Sequence, residues 1–575
     1  MPIHNSDIAD IFNRVADFLD IQDKNQFRIR AYRNAARTVT SLSKNVAGLV
    51  EKDEDLTRLS GIGKDLAGKI KEIVETGTLK QLEELEKEMP PGLLQMMKMS
   101  TIGPKRVKAL YENLGVRNIK ELEEMAKGGK ISDLEGFGQK TQQKILEEAQ
   151  RIRKRGKAHR TRLVKAERVI QPLLDYLQET KGLKKLQVAG SFRRCKETVG
   201  DIDVLATCKR GSNIMDRFVT YEDVKEIIAK GKTKSSVILR TGLQVDLRVV
   251  QQVSYGAALV YFTGSKAHNI AIRKRGQKDD LKINEYGVFK NDERVAGKTE
   301  EEVYHSVNLT YIEPELRENN GEIEAAVQNN LPDLIELSDL NGDLQSHTKE
   351  SDGKFSMEEM AEAAKDLGYE YLAVTDHSKR VAMAGGLDEK RVEKQIEKVE
   401  KVNKNYKNFR IIKSMEVDIL EDGSLDLPNS ILSELEVVVC AVHYHRDMSR
   451  KKQTKRVLKA MENPFFHILA HPTGRIIGER EPYEIDLEEI MKEMVNNGCF
   501  IELNAQPDRL DISDTYCRMA REIGVKVAIS TDAHSISDLN FMRFGIYQGR
   551  RGWLEPDDVL NTRPYKSLLK LVQRN

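Results

Sequence analysis

The sequence predicts a multidomain chain with an all-α N-terminal region, an α+β middle and a C-terminal α/β region built as a barrel or a parallel sheet. Three observations carry this. Apolar residues recur at helical spacing through residues 1 to about 150. From about 183, short β-type runs alternate with helical segments. From about 338, short apolar runs alternate with charged helical segments, and seven of these runs end in a residue able to ligate a metal.

At 575 residues the chain exceeds one ordinary core and fits about three or four domains. Lys+Arg number 93 against 91 Asp+Glu, a formal net charge of +2, which excludes a basic field over the whole protein. Any nucleic-acid contact must then come from local patches. The five cysteines (Cys195, Cys208, Cys440, Cys499 and Cys517) form no Cys-x-x-Cys pair, so neither a zinc ribbon nor a disulfide framework is expected. The N-terminus lacks a signal-peptide pattern, and no apolar run reaches the roughly 20 residues of a membrane span. The expectation is a soluble cytoplasmic protein with no membrane partner.

In the N-terminal region, Ile8, Ile11, Phe12, Val15, Phe18 and Leu19 mark one helix face. A pattern then repeats three times: Leu59-Ser-Gly-Ile-Gly-Lys64, Ser100-Thr-Ile-Gly-Pro-Lys105 and Leu134-Glu-Gly-Phe-Gly-Gln-Lys140. A Gly-containing turn at a helix start points backbone N–H groups outward with no side chain in the way, which suits a phosphate oxygen. One such turn is more often an ordinary helix connection; three, each followed by lysine, put a phosphate contact and a plain connection on an equal footing. Gly61, Gly63, Gly103, Lys105, Gly136 and Gly138 are the candidate DNA contacts. The pattern resembles helix-hairpin-helix motifs, which grip the DNA backbone without reading sequence. In the second copy Thr101 stands where the first glycine would be, so the backbone approach there is expected to be less close. The run from Arg151 to Arg168 is basic with only Glu167 opposing it, which favours polyanion contact over a merely solvated face.

In the middle region the β-type runs are 186–189, 202–206, 237–239 and 243–250. Asp201 and Asp203 are two apart, so both carboxylates project from one strand face. Asp246 lies opposite the apolar Val245, Leu247 and Val249, and a neighbouring strand can bring it beside the pair. Three clustered carboxylates repel unless cations neutralise them, and oxygen-only ligands select Mg²⁺ or Mn²⁺. Two such ions suit in-line nucleotidyl transfer. The preceding Gly190-Ser191 turn suits a phosphate, with Ser191 expected to cap the next helix and Arg193 or Arg194 to neutralise the charge.

Gly190-Ser-Phe-Arg-Arg194, Gly200-Asp-Ile-Asp-Val-Leu205, Asp246 and Tyr261-Phe-Thr-Gly-Ser265 with Asn269 and Arg273 together resemble family X DNA polymerases and the wider nucleotidyltransferase fold. The resemblance implies a palm whose Asp201, Asp203 and Asp246 are catalytic and hold two Mg²⁺ or Mn²⁺ ions, with Asp246 accepting the primer 3′-hydroxyl proton. It implies nucleotide binding by Gly190, Ser191, Arg194, Tyr261, Phe262, Gly264, Asn269 and Arg273. It also puts Lys69 where a lyase Schiff-base lysine lies, although Arg28 and Asp65 stand in place of assisting lysines; the other reading of Lys69 is a DNA-phosphate contact. Cys195 stands where the family usually has glycine.

The seven C-terminal runs lead to Asp343-Leu-Gln-Ser-His347, Thr375-Asp-His377, Glu416, His443-Tyr-His445, His471, Glu502 and Asp532-Ala-His534. Ligand-class residues at the C-terminal ends of strands are where a (β/α) barrel places its chemistry. Mixed His, Asp and Glu donors suit Mn²⁺, Zn²⁺ or Fe²⁺. The arrangement resembles the PHP domain, a distorted (β/α)7 barrel with a trinuclear metal site. The resemblance implies up to three Mn²⁺ or Zn²⁺ ions: His347, Glu416 and Asp532 at one, Glu416, His443 and His471 at a second, and Asp352, His377 and His534 at a third. Gln345 stands where the motif has histidine.

A family X polymerase joined to a PHP domain is the arrangement of the bacterial and archaeal PolX family. It implies a helical lyase-like domain (1–88), helical fingers (89–150), palm (151–250), thumb (251–317), linker (318–337) and PHP domain (338–575). The expected activity is gap filling on gapped, nicked or primer-template DNA with dNTPs, plus 3′-5′ exonuclease action, by a monomer at the nucleoid. Two alternatives stay open: a barrel that only braces the polymerase, and an N-terminal half that transfers nucleotides to something other than DNA.

Overall fold

The computed structural model describes residues 3, 5–42, 46–97, 99, 101–155 and 160–574. Ser100, named above, and positions 156–159 of the basic run lie outside the described residues. The chain divides into two compact units, Met1–His159 and Arg160–Asn575.

The first unit is helical, and one apolar cluster runs through it from Ile8 to Ala149. Helix Asn5–Ile21 buries the predicted stripe of Ile8, Ile11, Phe12, Val15, Phe18 and Leu19. Helix Gln26–Ser41 starts where Asn25 accepts the Phe27 N–H. Each Gly repeat opens a helix. Gly63 is the N-cap of Lys64–Thr76, Gly103 is the N-cap of Pro104–Leu114 with proline in its first turn, and Gly138 precedes Gln139–Arg155. The last of these helices runs past 150, where the sequence reading ended the region. The apolar residue at the centre of each repeat (Ile62, Ile102, Phe137) is buried and anchors its turn to the core.

The second unit begins with a five-stranded sheet: β1 (Leu183–Val188), β2 (Asp201–Cys208), β3 (Val224–Lys230), β4 (Lys234–Leu239) and β5 (Gln244–Val249). Their order is β1-β2-β5-β4-β3, with β2 and β5 parallel and the other neighbours antiparallel. The sequence reading did not find β3. It is an edge strand carrying Lys225, Glu226 and Lys230, and charge on an edge blocks further strand pairing while erasing the apolar signal.

Helices Tyr255–Thr263 and Lys266–Lys278 follow, then a three-stranded antiparallel sheet of β6 (Leu281–Asn284), β7 (Gly287–Lys290) and β8 (Glu293–Ala296). Arg317 is fully buried at the centre of this part. Its Nη1 donates to Glu300 Oε1 at 2.7 Å and its Nε to the Ile312 carbonyl at 2.9 Å. Its guanidinium lies 5.2 Å from the ring centroids of both Tyr304 and Tyr311.

The polar stretch expected to be a linker is packed instead. It contains helix Glu322–Val327, and buried Glu322 accepts a hydrogen bond from or shares a proton with His268 Nδ1 at 2.7 Å. Its polar residues are partners of distant charges, which makes a buried segment read as solvated in sequence.

Seven parallel strands then follow in chain order: β9 (Gly342–Ser346), β10 (Tyr371–Val374), β11 (Arg410–Asp418), β12 (Val437–Ala441), β13 (Ile468–Leu469), β14 (Phe500–Asn504) and β15 (Val527–Ser530). A Ser346–Ala533 bridge and the Thr531 N–H to Asp343 hydrogen bond, at 3.1 Å, join the first strand to the last. The strand residues alternate. Leu372, Val374, Val438 and Ile529 pack in the cluster that includes the surrounding helices, whereas Leu344, Ala373, Val439 and Ala528 pack with Leu568 and Val572 of the C-terminal helix Tyr565–Val572. The expected barrel is therefore present, and its chemistry sits past the strand ends.

Removing a partner from a buried ion pair leaves a charge uncompensated. Arg317→Ala should therefore destabilise the second unit by about 3–5 kcal/mol. Guanidinium unfolding of the full chain measures this; an unchanged midpoint for that unit contradicts the assignment of Arg317 as its central tie.

Candidate functional site

Parallel pairing places Asp203 directly opposite Asp246 and Asp201 opposite Gln244. The three carboxylates thus meet on one face of the sheet, on two of its interior strands. Asp246 is buried; Lys234 Nζ lies 2.9 Å from its Oδ2 and Gln244 Nε2 donates to its Oδ1 at 3.1 Å. Burial, then Asp201 and Asp246, push the Asp203 carboxyl up to about 6. Burial and Asp246 also raise Asp201. A site that resists ionisation for want of positive charge is one that cations complete, and its donors are all oxygens, so the residues fit Mg²⁺ or Mn²⁺. Lys234 and Gln244 were not singled out in the sequence. Gln244 is two residues from Asp246, and that spacing on one strand face is the signal that could have found it.

The Gly190 turn abuts these aspartates. Gly190 has φ +66°, and a Cβ there would lie 3.2 Å from Asp203 Oδ2, so the turn needs glycine. Ser191 does not cap the following helix. Helix Gly190–Arg193 begins one residue earlier, with Ala189 at its N-cap, because the Ala189 N–H is already committed to the Asp203 carbonyl at 2.8 Å. Arg193 is engaged by Glu300 at 2.6 Å, whereas Arg194 is tied by Nε to Glu318 at 3.0 Å and by Nη1 to the Thr263 carbonyl. Phe262 packs against the cluster of Ala189 and Leu205, with the Arg248 guanidinium 4.3 Å from its ring, and Tyr261 is exposed. Gly264 lies beside Arg194: a Cβ there would be 3.2 Å from Arg194 Nη1. Asn269 donates to the Tyr261 carbonyl at 2.7 Å, and Arg273 is exposed one helical turn further on.

In the first unit, a Cβ added at Gly63, Gly103, Gly136 or Gly138 would meet nothing within 4 Å, which leaves each turn open to close approach. Gly61 has φ +77°, and Lys64, Lys105 and Lys140 are exposed. The second turn differs in its internal hydrogen bonds. Thr101 N–H and Oγ1 both donate to Glu148 Oε2, at 3.2 and 2.6 Å, so that N–H is committed internally. Lys69 is paired with Asp65 and lies 5.7 Å from the Tyr32 ring centroid.

At the barrel mouth the predicted donors converge on Glu416. Its carboxylate lies 3.5 Å from His347 Nε2, 3.0 Å from His377 Nδ1, 3.5 Å from His443 Nε2 and 2.9 Å from His471 Nε2. His347 Nε2 is 3.1 Å from Asp532 Oδ1. Asp352 lies 3.4 Å from both His377 Nε2 and His534 Nε2. Asp376 holds the loop that carries Asp352, accepting from Thr348 N–H at 2.8 Å and Ser351 Oγ at 2.6 Å. His445 is absent from this group; it is exposed and pairs with Glu421 at 2.6 Å.

The electrostatics fit cations here too. Against the effect of burial, Glu416 and Asp352 push His377 up to about 11, and Asp352 and Asp532 push His534 to about 9. Imidazoles thus take up protons to balance buried carboxylates, the charge a metal ion would supply. The buried ring nitrogens of His347 and both amide atoms of buried Gln345 make no hydrogen bond among the described residues. Asp418 and Asn504 were not singled out in the sequence, and Glu502 was named there only as one of the seven strand-end residues. Asp418 orients His443 through Nδ1 at 3.0 Å, Glu502 accepts the His471 N–H at 2.6 Å, and Asn504 donates to Asp532 at 3.0 Å. Asp418 is two residues after Glu416 on one strand, so the period-2 rule could have found it.

Known proteins match each part of this architecture. Residues 3–79 match a helix-hairpin-helix domain and 93–151 a SAM-like helix-hairpin-helix tandem. Residues 160–259 match the DNA polymerase beta palm, 258–318 the DNA polymerase beta thumb and 343–506 the PHP domain. The DNA polymerase/3′-5′ exonuclease PolX of Bacillus subtilis is 36% identical over 578 residues, covering 100% of both chains. The chain belongs to the PolX family. A probable phosphatase of Thermoanaerobacter sp. is 30% identical over 235 residues, 38% of this chain and 89% of its own. One of Syntrophotalea carbinolica is 25% identical over 230 residues, 38% of this chain and 90% of its own. PolX membership carries divalent-metal use with it and agrees with the two donor sets. No helix among the described residues is long and apolar enough to cross a membrane.

Glu416 touches four imidazoles, whereas His534 reaches the carboxylates of Asp352 and Asp532 at the margin of the group. Glu416→Ala should lower the metal retained through dialysis more than His534→Ala does, read by elemental analysis. Equal losses contradict the central place of Glu416.

Proposed function

We propose that this PolX-family chain fills gaps in DNA by two-metal nucleotidyl transfer at its palm and trims 3′-ends at its barrel. The observation that carries this reading is the coexistence in one chain of two donor sets of different chemistry: three carboxylates on adjacent strands, and imidazoles mixed with carboxylates around Glu416. DNA and dNTPs are the substrates. The protein would act as a monomer at the nucleoid of the cytoplasm.

At the palm, Asp201, Asp203 and Asp246 would hold two Mg²⁺ or Mn²⁺ ions, which when bound neutralise charge on the entering and leaving oxygens. Asp246 accepts the primer hydroxyl proton, steered by Lys234 and Gln244. Gly190, Ser191 and Arg194 receive the β- and γ-phosphates, Tyr261, Phe262 and Gly264 flank the sugar, Asn269 meets the base edge and Arg273 the templating strand. The Gly turns hold backbone only, so little sequence preference is expected.

At the barrel, His347, Glu416 and Asp532, then Glu416, His443 and His471, then Asp352, His377 and His534 would hold up to three Mn²⁺ or Zn²⁺ ions, which when bound activate water and polarise a phosphodiester. Gln345 offers an amide oxygen where an imidazole is usual, a harder neutral donor that favours manganese. Asp418 and Glu502 fix the orientation of His443 and of the His471 backbone.

Asp246→Ala should slow extension of a gapped primer by on the order of 10²–10³-fold or more. A wild-type rate would remove the palm assignment. His443→Ala and His471→Ala should abolish 3′-shortening of end-labelled DNA while extension stays largely intact. Loss of both activities together would favour the bracing role for the barrel. Lys69, tied to Asp65 and set over Tyr32, is read as a phosphate contact. Borohydride treatment with a 5′-deoxyribose phosphate substrate should therefore trap no adduct, and an adduct that Lys69→Ala abolishes would make Lys69 the nucleophile.

A further inference from the structure

The chain that follows the Gly190 turn is gripped from the barrel side. Arg551, at the end of barrel helix Met542–Arg551, is 2% exposed. Its Nη1 donates to the backbone carbonyl of Arg194 at 2.9 Å and to Glu318 Oε1 at 3.2 Å. Its Nη2 donates to Asp514 Oδ2 at 2.5 Å. Glu318 Oε1 also accepts from Arg194 Nε at 3.0 Å and lies 3.5 Å from Lys196 Nζ. Slightly further along, Glu197 accepts from Arg475 and from Gln548 Nε2, the latter at 2.7 Å.

These contacts form one line of alternating charge: Asp514, Arg551, Glu318, Arg194. Arg551 neutralises Glu318 from the far side. Arg194 consequently contributes a single Nε–H to Glu318, its Nη1 is committed to the Thr263 carbonyl, and Nη2, which has no hydrogen-bond partner among the described residues, remains for a substrate oxygen. Without Arg551, Glu318 would keep only the longer Lys196 contact, at 3.5 Å, beside Arg194. A carboxylate and a guanidinium favour a two-point pairing, which would turn the guanidinium toward Glu318 and take it from the phosphate.

We propose that Arg551, a barrel side chain, is a positioning residue for nucleotide binding, aiming the Arg194 guanidinium at the triphosphate of the incoming nucleotide through Glu318. This rests on the reading of Arg194 as a phosphate ligand. The barrel is then part of the polymerase site as well as a site of its own.

Steady-state single-nucleotide gap filling by the full chain tests this. Arg551→Met should raise the KM for dNTP about tenfold, the loss expected for a charge-assisted contact, with kcat changed far less. Adding Glu318→Gln to Arg551→Met should bring the KM back toward wild type, because the carboxylate that captures Arg194 is gone. A purely structural role for Arg551 would make the second substitution harmful or neutral. Shortening of 3′-ends in the same preparations reports a folded barrel; if Arg551→Met loses that as well, Arg551→Gln, which removes the charge and keeps a donor for the Arg194 carbonyl, carries the same test. If Arg194→Ala raises the KM and the Arg551 variant does not, the positioning role is overturned while the Arg194 reading stands. If Arg194→Ala itself leaves the KM unchanged, both fall.

Discussion

Parallel strand pairing puts like charges side by side, and that constraint governs both sites. Asp203 faces Asp246 across two hydrogen-bonded parallel strands, and burial with mutual repulsion pushes Asp203 up to about 6. In the barrel the same alignment gathers His347, His377, His443, His471 and Asp532 around Glu416. Neither arrangement balances its own charge. Each is stable only with positive charge from outside: cations, or protons taken up by the imidazoles. The fold supplies rigid strand ends, and the ligands complete them.

Elsewhere in the second unit the balance is internal. Arg317 with Glu300, and Arg551 with the part-buried Glu318 and Asp514, are pairs built on buried arginines, and removing the acidic partners would strand a charge. Against the effect of burial, Lys196, Arg551 and Arg194 hold the Glu318 carboxyl down at about 2. A depressed carboxyl stabilises the fold above its unfolded value of 4.5, and that contribution is lost as pH falls toward 2. Acid should therefore loosen the tie between the palm turn and the barrel through this group.

Much of this was legible in sequence because it is written in local patterns. The helical stripe of Ile8 to Leu19, the Gly turns, the spacing of Asp201 and Asp203 and the ligands that close the barrel strands all obey short-range periodicities. What escaped depends on long-range partners. β3 carries three charges among its seven residues because it is an edge. Segment 318–337 reads as a linker because its charges meet Arg194, Arg551 and His268 only in three dimensions. Ser191 has capping chemistry, yet the helix begins before it; His445 shares the strand end of His443 but turns away toward Glu421. Thr101 departs visibly from the repeat in sequence, but its partner Glu148 lies 47 residues away.

The central claim is that each charge-poor cluster is a cation site. Diffraction from crystals grown with Mn²⁺, with anomalous differences recorded at the manganese absorption edge, tests it most directly. The account predicts peaks among Asp201, Asp203 and Asp246, and separate peaks among Glu416 and the histidines around it. Crystals that show manganese at neither cluster, with His377 and Asp352 still paired as they are here, would contradict it.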